Sequence, residues 1–546
     1  MLEKAKTLID LFRRRGYKAF FIGGKPRNDA RNSGKFNKVL VDNIDIITSM
    51  PKEVIKKMFP TAQDGNLVVP SVNITFADKQ FKILFFNYDE SFLEQNLVSI
   101  KSTKVRPKLL NIPCLDEIRI KLDFTINTLV QELNSTVIDY SFEKNKQLIS
   151  ALQDVKKEII RVVNGKQTFI DDPLRILRMF KMQSMLQFKI DQRTFKDALE
   201  CKHLLESIHP SYFVSDFNKI ITSPGVKLAI KQMKKFGFFN LTINNQPFMR
   251  VLNNVNDKDL TILERYCQTA ANNEENEKTD LLEAYTLLLL SNTEEEIRDF
   301  FSTFHPLENE EESIERIIWM VQHKDILDGT NLRQKIFQAR NDGIVAKERQ
   351  SGMLIVIRKL AHIAKLLNGK QAYNDVYGAY CERPYFSNQL RVNNEEIASF
   401  MGKTLSDDFK ENLWLEPVKD AILNRLINIE GSWPYEYDKY MEHVRLGILD
   451  VYPDAEVNIP PEQVIIDDYG NIMDHMKAIQ HKRIPINEEG PEIIRVTENM
   501  RIYSNTLINT SNVISSNNEF NDNEIDIELF DEDKLLEEED LLNDID

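Results

Sequence analysis

Cysteine and histidine are scarce in this chain, and long apolar runs are missing. Its four cysteines, Cys114, Cys201, Cys267 and Cys381, are scattered over 546 residues and make no CxxC pair. That argues against a disulfide framework and a cysteine zinc site, and it points to a reduced, intracellular protein of the cytoplasm. The eight histidines are dispersed, so a histidine metal site is not expected. No stretch is long and apolar enough to span a membrane, so no membrane partner is expected. The opening MLEKAKTLIDLFRRRG reads as an amphipathic helix rather than a signal peptide.

What the chain does have is length and unevenly placed charge. At 546 residues it is long enough for several domains with sizeable cores. The net charge is −15, yet residues 1–240 hold 40 Lys and Arg against 26 Asp and Glu, a local +14. Residues 241–519 are net −17, and residues 520–546 are net −12. A basic front half is either a polyanion-binding face or an ordinary solvated surface.

Apolar spacing predicts a first helix over residues 1–15, with Leu2, Ala5, Leu8, Ile9 and Phe12 on one face and Gly16 as its stop. Lys18–Ile22, Val39–Ile47, 68–76 and 80–88 have the β-branched and aromatic content of strands. Beyond Asp154 glycine and proline thin out and the pattern turns helical, as in 280–300, 352–368, 388–402 and 417–430. The expected fold class is α+β, a mixed-sheet head followed by an all-α remainder. Five segments are expected: a head at 1–150, a neck at 151–240, a body at 241–385, a tail domain at 386–485 and a disordered acidic end at 505–546.

Several short motifs carry chemistry. Gly23-Gly24, with Arg27 behind it, follows the first strand, where missing side chains let a backbone approach a triphosphate. A structural turn explains such a glycine pair equally well. In DNIDIIT, Asn43 and Asp45 are two apart and so share one strand face, whereas Asp42 points the other way. Lys82 lies in FKILFFNYD, and Asp123 and Asn127 lie in LDFTIN. In DDPLRILRMF, Asp172 and Arg175 are three apart, one turn of a helix, with Arg178 following. Such a pair is either a donor–acceptor set for a nucleobase or an intrahelical ion pair.

In this order and spacing the motifs resemble the class II tRNA nucleotidyltransferase family, which includes CCA-adding enzymes and bacterial poly(A) polymerases. The resemblance is specific over residues 1–240 and looser to about residue 445. It implies a polymerase-beta-like nucleotidyltransferase head with a helical neck, body and tail. It also implies ATP or CTP and the 3′ end of a tRNA-like RNA as partners. Gly23, Gly24 and Arg27 take the place of the family's GGxxRD, with Asn28 where that pattern ends in Asp. Asp123 and Asn127 match its RRDFTIN, although Lys121 and Leu122 replace the two arginines. Asp172 and Arg175, with Arg178 beyond, match its base-reading EDxxR. The family's strand that bears the third carboxylate, FEVTTFRxD, corresponds to Phe81–Asp89, with Asn87 at the arginine. Its SxERIxxE helix corresponds to Ser211–Asp216, without the arginine.

The metal site departs from that pattern. The family's DxD and its third carboxylate hold two catalytic metals. Here Asn43 replaces the first carboxylate and Lys82 the third, leaving Asp45 as the one retained catalytic and metal-binding carboxylate. The three positions sum to zero charge instead of −3. An ammonium about 5 Å from Mg²⁺ is repelled by roughly 6–7 kcal/mol at an effective dielectric near 20. The preferred expectation is therefore a divergent member that binds RNA or nucleotide, with template-free addition lost or strongly reduced. Mg²⁺ is implied if the chain is active, and no cofactor otherwise. The alternatives are an active enzyme with a rearranged metal site, and a scaffold subunit whose acidic end (505–546) engages a protein partner. That end is otherwise a solubilising tail.

Overall fold

A computed structural model describes residues 1–32, 44–65, 69–86, 118–133, 147–243, 245–272, 279–406, 409–429 and 436–460, together with short strands at 137–138, 141–144, 465–466 and 472–473. Asp42, Asn43, Asn87 and the acidic 505–546 segment lie outside the described residues. Residues 1–330, 341–348 and 352–376 form one compact unit, and 331–340, 349–351 and 377 onward form a second.

The first unit begins with a seven-stranded mixed sheet of order β3-β4-β5-β2-β1-β6-β7. Its strands are β1 (Ala19–Ile22), β2 (Asp45–Thr48), β3 (Gln63–Asp64), β4 (Ser71–Phe76), β5 (Lys79–Phe85), β6 (Val130–Gln131) and β7 (Val137–Ile138). β1 runs antiparallel to β2, pairing Ile22 with Asp45, and β2 runs parallel to β5, pairing Asp45 with Lys82.

Alternation divides these strands between two apolar clusters. Phe21, Ile46, Phe81 and Ile83 face helix α1 (Leu2–Arg14) and Ile55 of helix α3 (Lys52–Met58). Phe20, Ile22, Ile47 and Leu84 face the other way, with Val130, Ile118 and Phe86. With a side-chain period of two, Asp45 belongs with Ile47 and Lys82 with Leu84. Both therefore emerge on the second face, Asp45 at the start of β2 and Lys82 at the middle of β5. Leu122, in place of a family arginine, packs against this second cluster.

On α1, Ala5, Leu8, Ile9 and Phe12 are buried as the spacing predicts, while Leu2 remains 37% exposed at the frayed start. Gly16 adopts φ +83° after that helix, a conformation that costs glycine nothing. Helix α2 (Gly24–Asn32) leaves β1 directly through Gly23 and tolerates Pro26 because that residue lies in its first turn.

Residues 151–240 contain helices α4 (Ala151–Lys156), α5 (Lys166–Asp171), α6 (Arg175–Leu186), α7 (Gln192–Glu200), α8 (Ser211–Ile221) and α9 (Val226–Phe236), with α6 packed on α8 and α9. Here the sequence expectation needs correction. Asp172 and Arg175 do not share a helical face. Asp172 lies between α5 and α6 in an extended conformation, φ −152° and ψ 96°. Pro173 disfavours the helical region for the residue before it, so the chain breaks there and a new helix starts at Arg175. The helical pattern at 280–300 is likewise two helices, Leu281–Leu288 and Glu294–Thr303. The second is started by a Thr293/Glu296 capping box.

In the second unit, helices Leu415–Ile427 and Tyr437–Val451 pack on each other. Gly447 makes this possible, because a Cβ there would lie 2.6 Å from the Ile422 side chain and 2.7 Å from its Cα. No helix among the described residues is long and apolar enough to cross a membrane.

Candidate nucleotide site

The residues singled out in the sequence converge on the second face of the sheet and on the adjoining neck. Gly23 is the hinge. It adopts φ +76°, and a Cβ on it would lie 3.6 Å from Asp45 Oδ2 and 3.8 Å from the Asn127 carbonyl oxygen. Its amide donates to the Leu129 carbonyl at 3.2 Å, which binds the turn to the segment after LDFTIN. Gly24 is the first residue of α2. One turn along, buried Arg27 donates to Asn127 Oδ1 at 2.6 Å and to Asn28 Oδ1 at 3.2 Å. Burial pulls the Arg27 guanidinium down to about 10 against the support of Asp123 and Asp45.

Asn127 passes the connection to Asp123. Its amide donates to Asp123 Oδ1 at 2.9 Å, and the Phe124 amide donates to the same oxygen at 2.8 Å. Arg178 of α6 lies 3.7 Å from Asp123 Oδ2 and 3.9 Å from Asp172. Burial pushes the Asp123 carboxyl up, but Arg178, Asn127 and Arg175 outweigh it and hold it below the usual carboxylate range. Burial also works against the Arg178 cation, and Asp123, Asp216 and Asp172 reverse that effect. Each of these two charges is stable because the other is present.

Arg175 has a different role from its neighbour. Its guanidinium is only 2% exposed and donates to the Thr168 carbonyl at 3.2 Å and to the Lys121 carbonyl at 2.6 Å. Its Nε–H has no hydrogen-bond partner and lies 3.8 Å from Asp172 Oδ2. Arg175 thus ties α5 and the helical turn at Lys121 to the start of α6. Arg178, with 30% of its side chain exposed, is the arginine that reaches solvent.

Two residues that sequence reasoning passed over complete the cluster. Asp216 of α8 lies 2.5 Å from Lys181 Nζ and 3.8 Å from Arg178 Nε. Lys181 follows Arg178 by three on α6, a spacing that could have marked it as lying on the same face. Asp216 lies within the stretch that corresponds to the family's SxERIxxE helix, a stretch that lacks the arginine but keeps this carboxylate.

The remaining corner is Asp45 and Lys82. They are register partners on adjacent parallel strands, about 4.8 Å apart in the pairing direction, and both are half-buried. Burial raises the Asp45 carboxyl, Asp123 adds to that, and Lys82, Arg27 and Arg178 oppose it. A metal pair needs carboxylates converging on this corner. Among the described residues no group of three His, Cys, Asp or Glu is placed to hold a metal ion. Lys82 is the register partner of Asp45, and Asp123 is committed to Asn127, Phe124 and Arg178. Among the described residues, Asp45 and Asp123 are the carboxylates nearest this corner.

No family model matches the chain. Similarity to individual proteins is nonetheless consistent. Over 233 residues the chain is 25% identical to the CCA-adding enzyme of Streptococcus pneumoniae strain CGSP14, covering 42% of this chain and 53% of that one. Over 223 residues it is 26% identical to the CCA-adding enzyme of Streptococcus sanguinis strain SK36, covering 41% and 50%. The chain thus spans about half the length of the curated relatives it matches. The fold is similar to the crystal structure of the Bacillus stearothermophilus CCA-adding enzyme in complex with CTP. The TM-score is 0.52 at 20% identity, over 81% of this chain and 98% of that one.

Proposed function

We propose that this chain is a member of the class II tRNA nucleotidyltransferase family that binds a nucleoside triphosphate and an RNA 3′ end but has lost template-free nucleotide addition. The observation that carries this reading is the pairing of Asp45 with Lys82 on adjacent strands. Activating a primer hydroxyl by metal ions needs several converging carboxylates, and here a lysine stands beside the one retained. The groups that hold a nucleotide are better kept. Gly23 leaves room for phosphates, Arg27 and Asn127 brace that turn, and Arg178 presents a partly exposed guanidinium between three carboxylates. The net +14 of residues 1–240 supports an RNA face on the same half of the chain.

A second reading, an active enzyme with a rearranged site, draws on Asp123, which is close enough to Asp45 to raise its carboxyl. Asp123 is the weaker candidate for a metal ligand, because one oxygen already accepts two hydrogen bonds and the other faces Arg178. The deciding experiment supplies labelled ATP and CTP with Mg²⁺, tRNA lacking its CCA end, and oligo(A) primers. No incorporation on the enzyme scale of about 1–10³ s⁻¹ is expected, and turnover in that range overturns the reading. In the same preparation RNA binding should weaken steeply with added salt, as phosphate contacts require.

A further inference from the structure

We propose that Lys82 takes the place of a metal ion at the phosphates, so that this chain binds a nucleoside triphosphate without any divalent cation. The inference rests on the reading that this face is the nucleotide site, and it names the cation that the ligand meets there.

Three observations carry it. The first is position. Asp45 and Lys82 are register partners and share the sheet face that does not pack on α1. A Cβ on Gly23 would lie 3.6 Å from Asp45 Oδ2, so the glycine turn adjoins this corner. A phosphate entering over Gly23 therefore meets this corner. The second is charge. A triphosphate is repelled by a site holding three carboxylates until metal ions neutralise them. The charges that act on Asp45 are three cations, Lys82, Arg27 and Arg178, and one further carboxylate, Asp123. With Asp45 itself this corner sums to +1, so the anion is not repelled. The third is the chemistry of the replacement. An ammonium is a compact point charge that donates to phosphate oxygens from a flexible stem. Asp45 is its register partner and emerges on the same sheet face. It offers one charge where a divalent ion offers two, and it is not a Lewis acid. It holds phosphates but does not lower the barrier for a hydroxyl to attack them, so binding and addition separate.

The test is an equilibrium titration of the full chain with fluorescent ATP and with fluorescent CTP, in excess EDTA and again in excess Mg²⁺. The proposal expects the same affinity in both buffers. Lys82→Met, which keeps most of the stem, should weaken binding in EDTA by about 10- to 150-fold, the loss of one charge-assisted hydrogen bond. Lys82→Arg should retain binding in EDTA, which guards against a variant that merely misfolds. Lys82→Glu should bind only when Mg²⁺ is supplied. If the unaltered chain binds in Mg²⁺ and loses the nucleotide in EDTA, the proposal fails while the nucleotide-site reading stands. Unchanged binding of Lys82→Met in EDTA also overturns it. If neither nucleotide binds in either buffer, both the proposal and that reading fall.

Discussion

Replacing Arg175 tests whether it is a structural tie or a nucleotide ligand. Its guanidinium is 2% exposed and bonds two backbone carbonyls, one in α5 and one at Lys121, with Asp172 at 3.8 Å. Arg175→Ala leaves both carbonyls and a carboxylate without their cation. Breaking a buried charged arrangement from one side costs about 3–5 kcal/mol. At about 1.4 kcal/mol per tenfold, the α5–α6 junction should open roughly two to four orders of magnitude more often. Amide hydrogen exchange of the full chain, followed by mass spectrometry over residues 166–186, reads this directly. Arg175→Lys should fall between, because a single ammonium does not serve two carbonyls in the fixed geometry of a guanidinium. The reasoning is refuted if Arg175→Ala leaves exchange over 166–186 unchanged while ATP or CTP affinity falls, for that is the behaviour of a base-reading side chain.

Arg178→Ala has the complementary signature. Nucleotide affinity drops by about 1–3 kcal/mol, and NMR titration finds the Asp123 carboxyl higher than in the parent, because Arg178 is the main cation holding it down. Asp45 and Asp123 predict opposite pH dependences. The folded Asp45 carboxyl is raised, so its ionisation weakens the fold; the penalty is absent below the ordinary 3.8 and complete above the raised value. Asp45→Asn should therefore melt higher than the parent at neutral pH, and the difference should vanish below 3.8. Asp123 is depressed, so its stabilisation is present above 3.8 and lost as pH falls through its folded value. Asp123→Asn should melt lower at neutral pH and converge with the parent in acid. An advantage for Asp123→Asn at neutral pH contradicts this electrostatic account. Gly23→Ala forces a side chain into φ +76° and should cost about 1–2 kcal/mol of stability, together with nucleotide affinity. Unchanged melting and binding would mean that the turn relaxes.

Much of the head was legible in the chain itself. The α1 face, the first strand, the strands at Ser71–Phe76 and Lys79–Phe85, and the order of the motifs follow from period, turn residues and spacing. These are local properties, and each is decided within a few residues. The substitution of Lys82 for a carboxylate was visible too. That Lys82 comes opposite Asp45 followed only from the family resemblance, because β2 and β5 are 37 residues apart at that pair, and register comes from packing two faces of a sheet at once. Sequence spacing placed Asp172 and Arg175 on one helix, but Pro173 broke it and assigned Arg175 to the interior and Arg178 to the solvent. Lys181 and Asp216, 35 residues apart, became a pair only when α6 packed on α8. Composition and motif order by themselves determined the α+β class and the resemblance to the CCA-adding enzymes. Which charges face one another was decided only by the tertiary structure, since electrostatic pairing depends on distances that the chain creates when it folds.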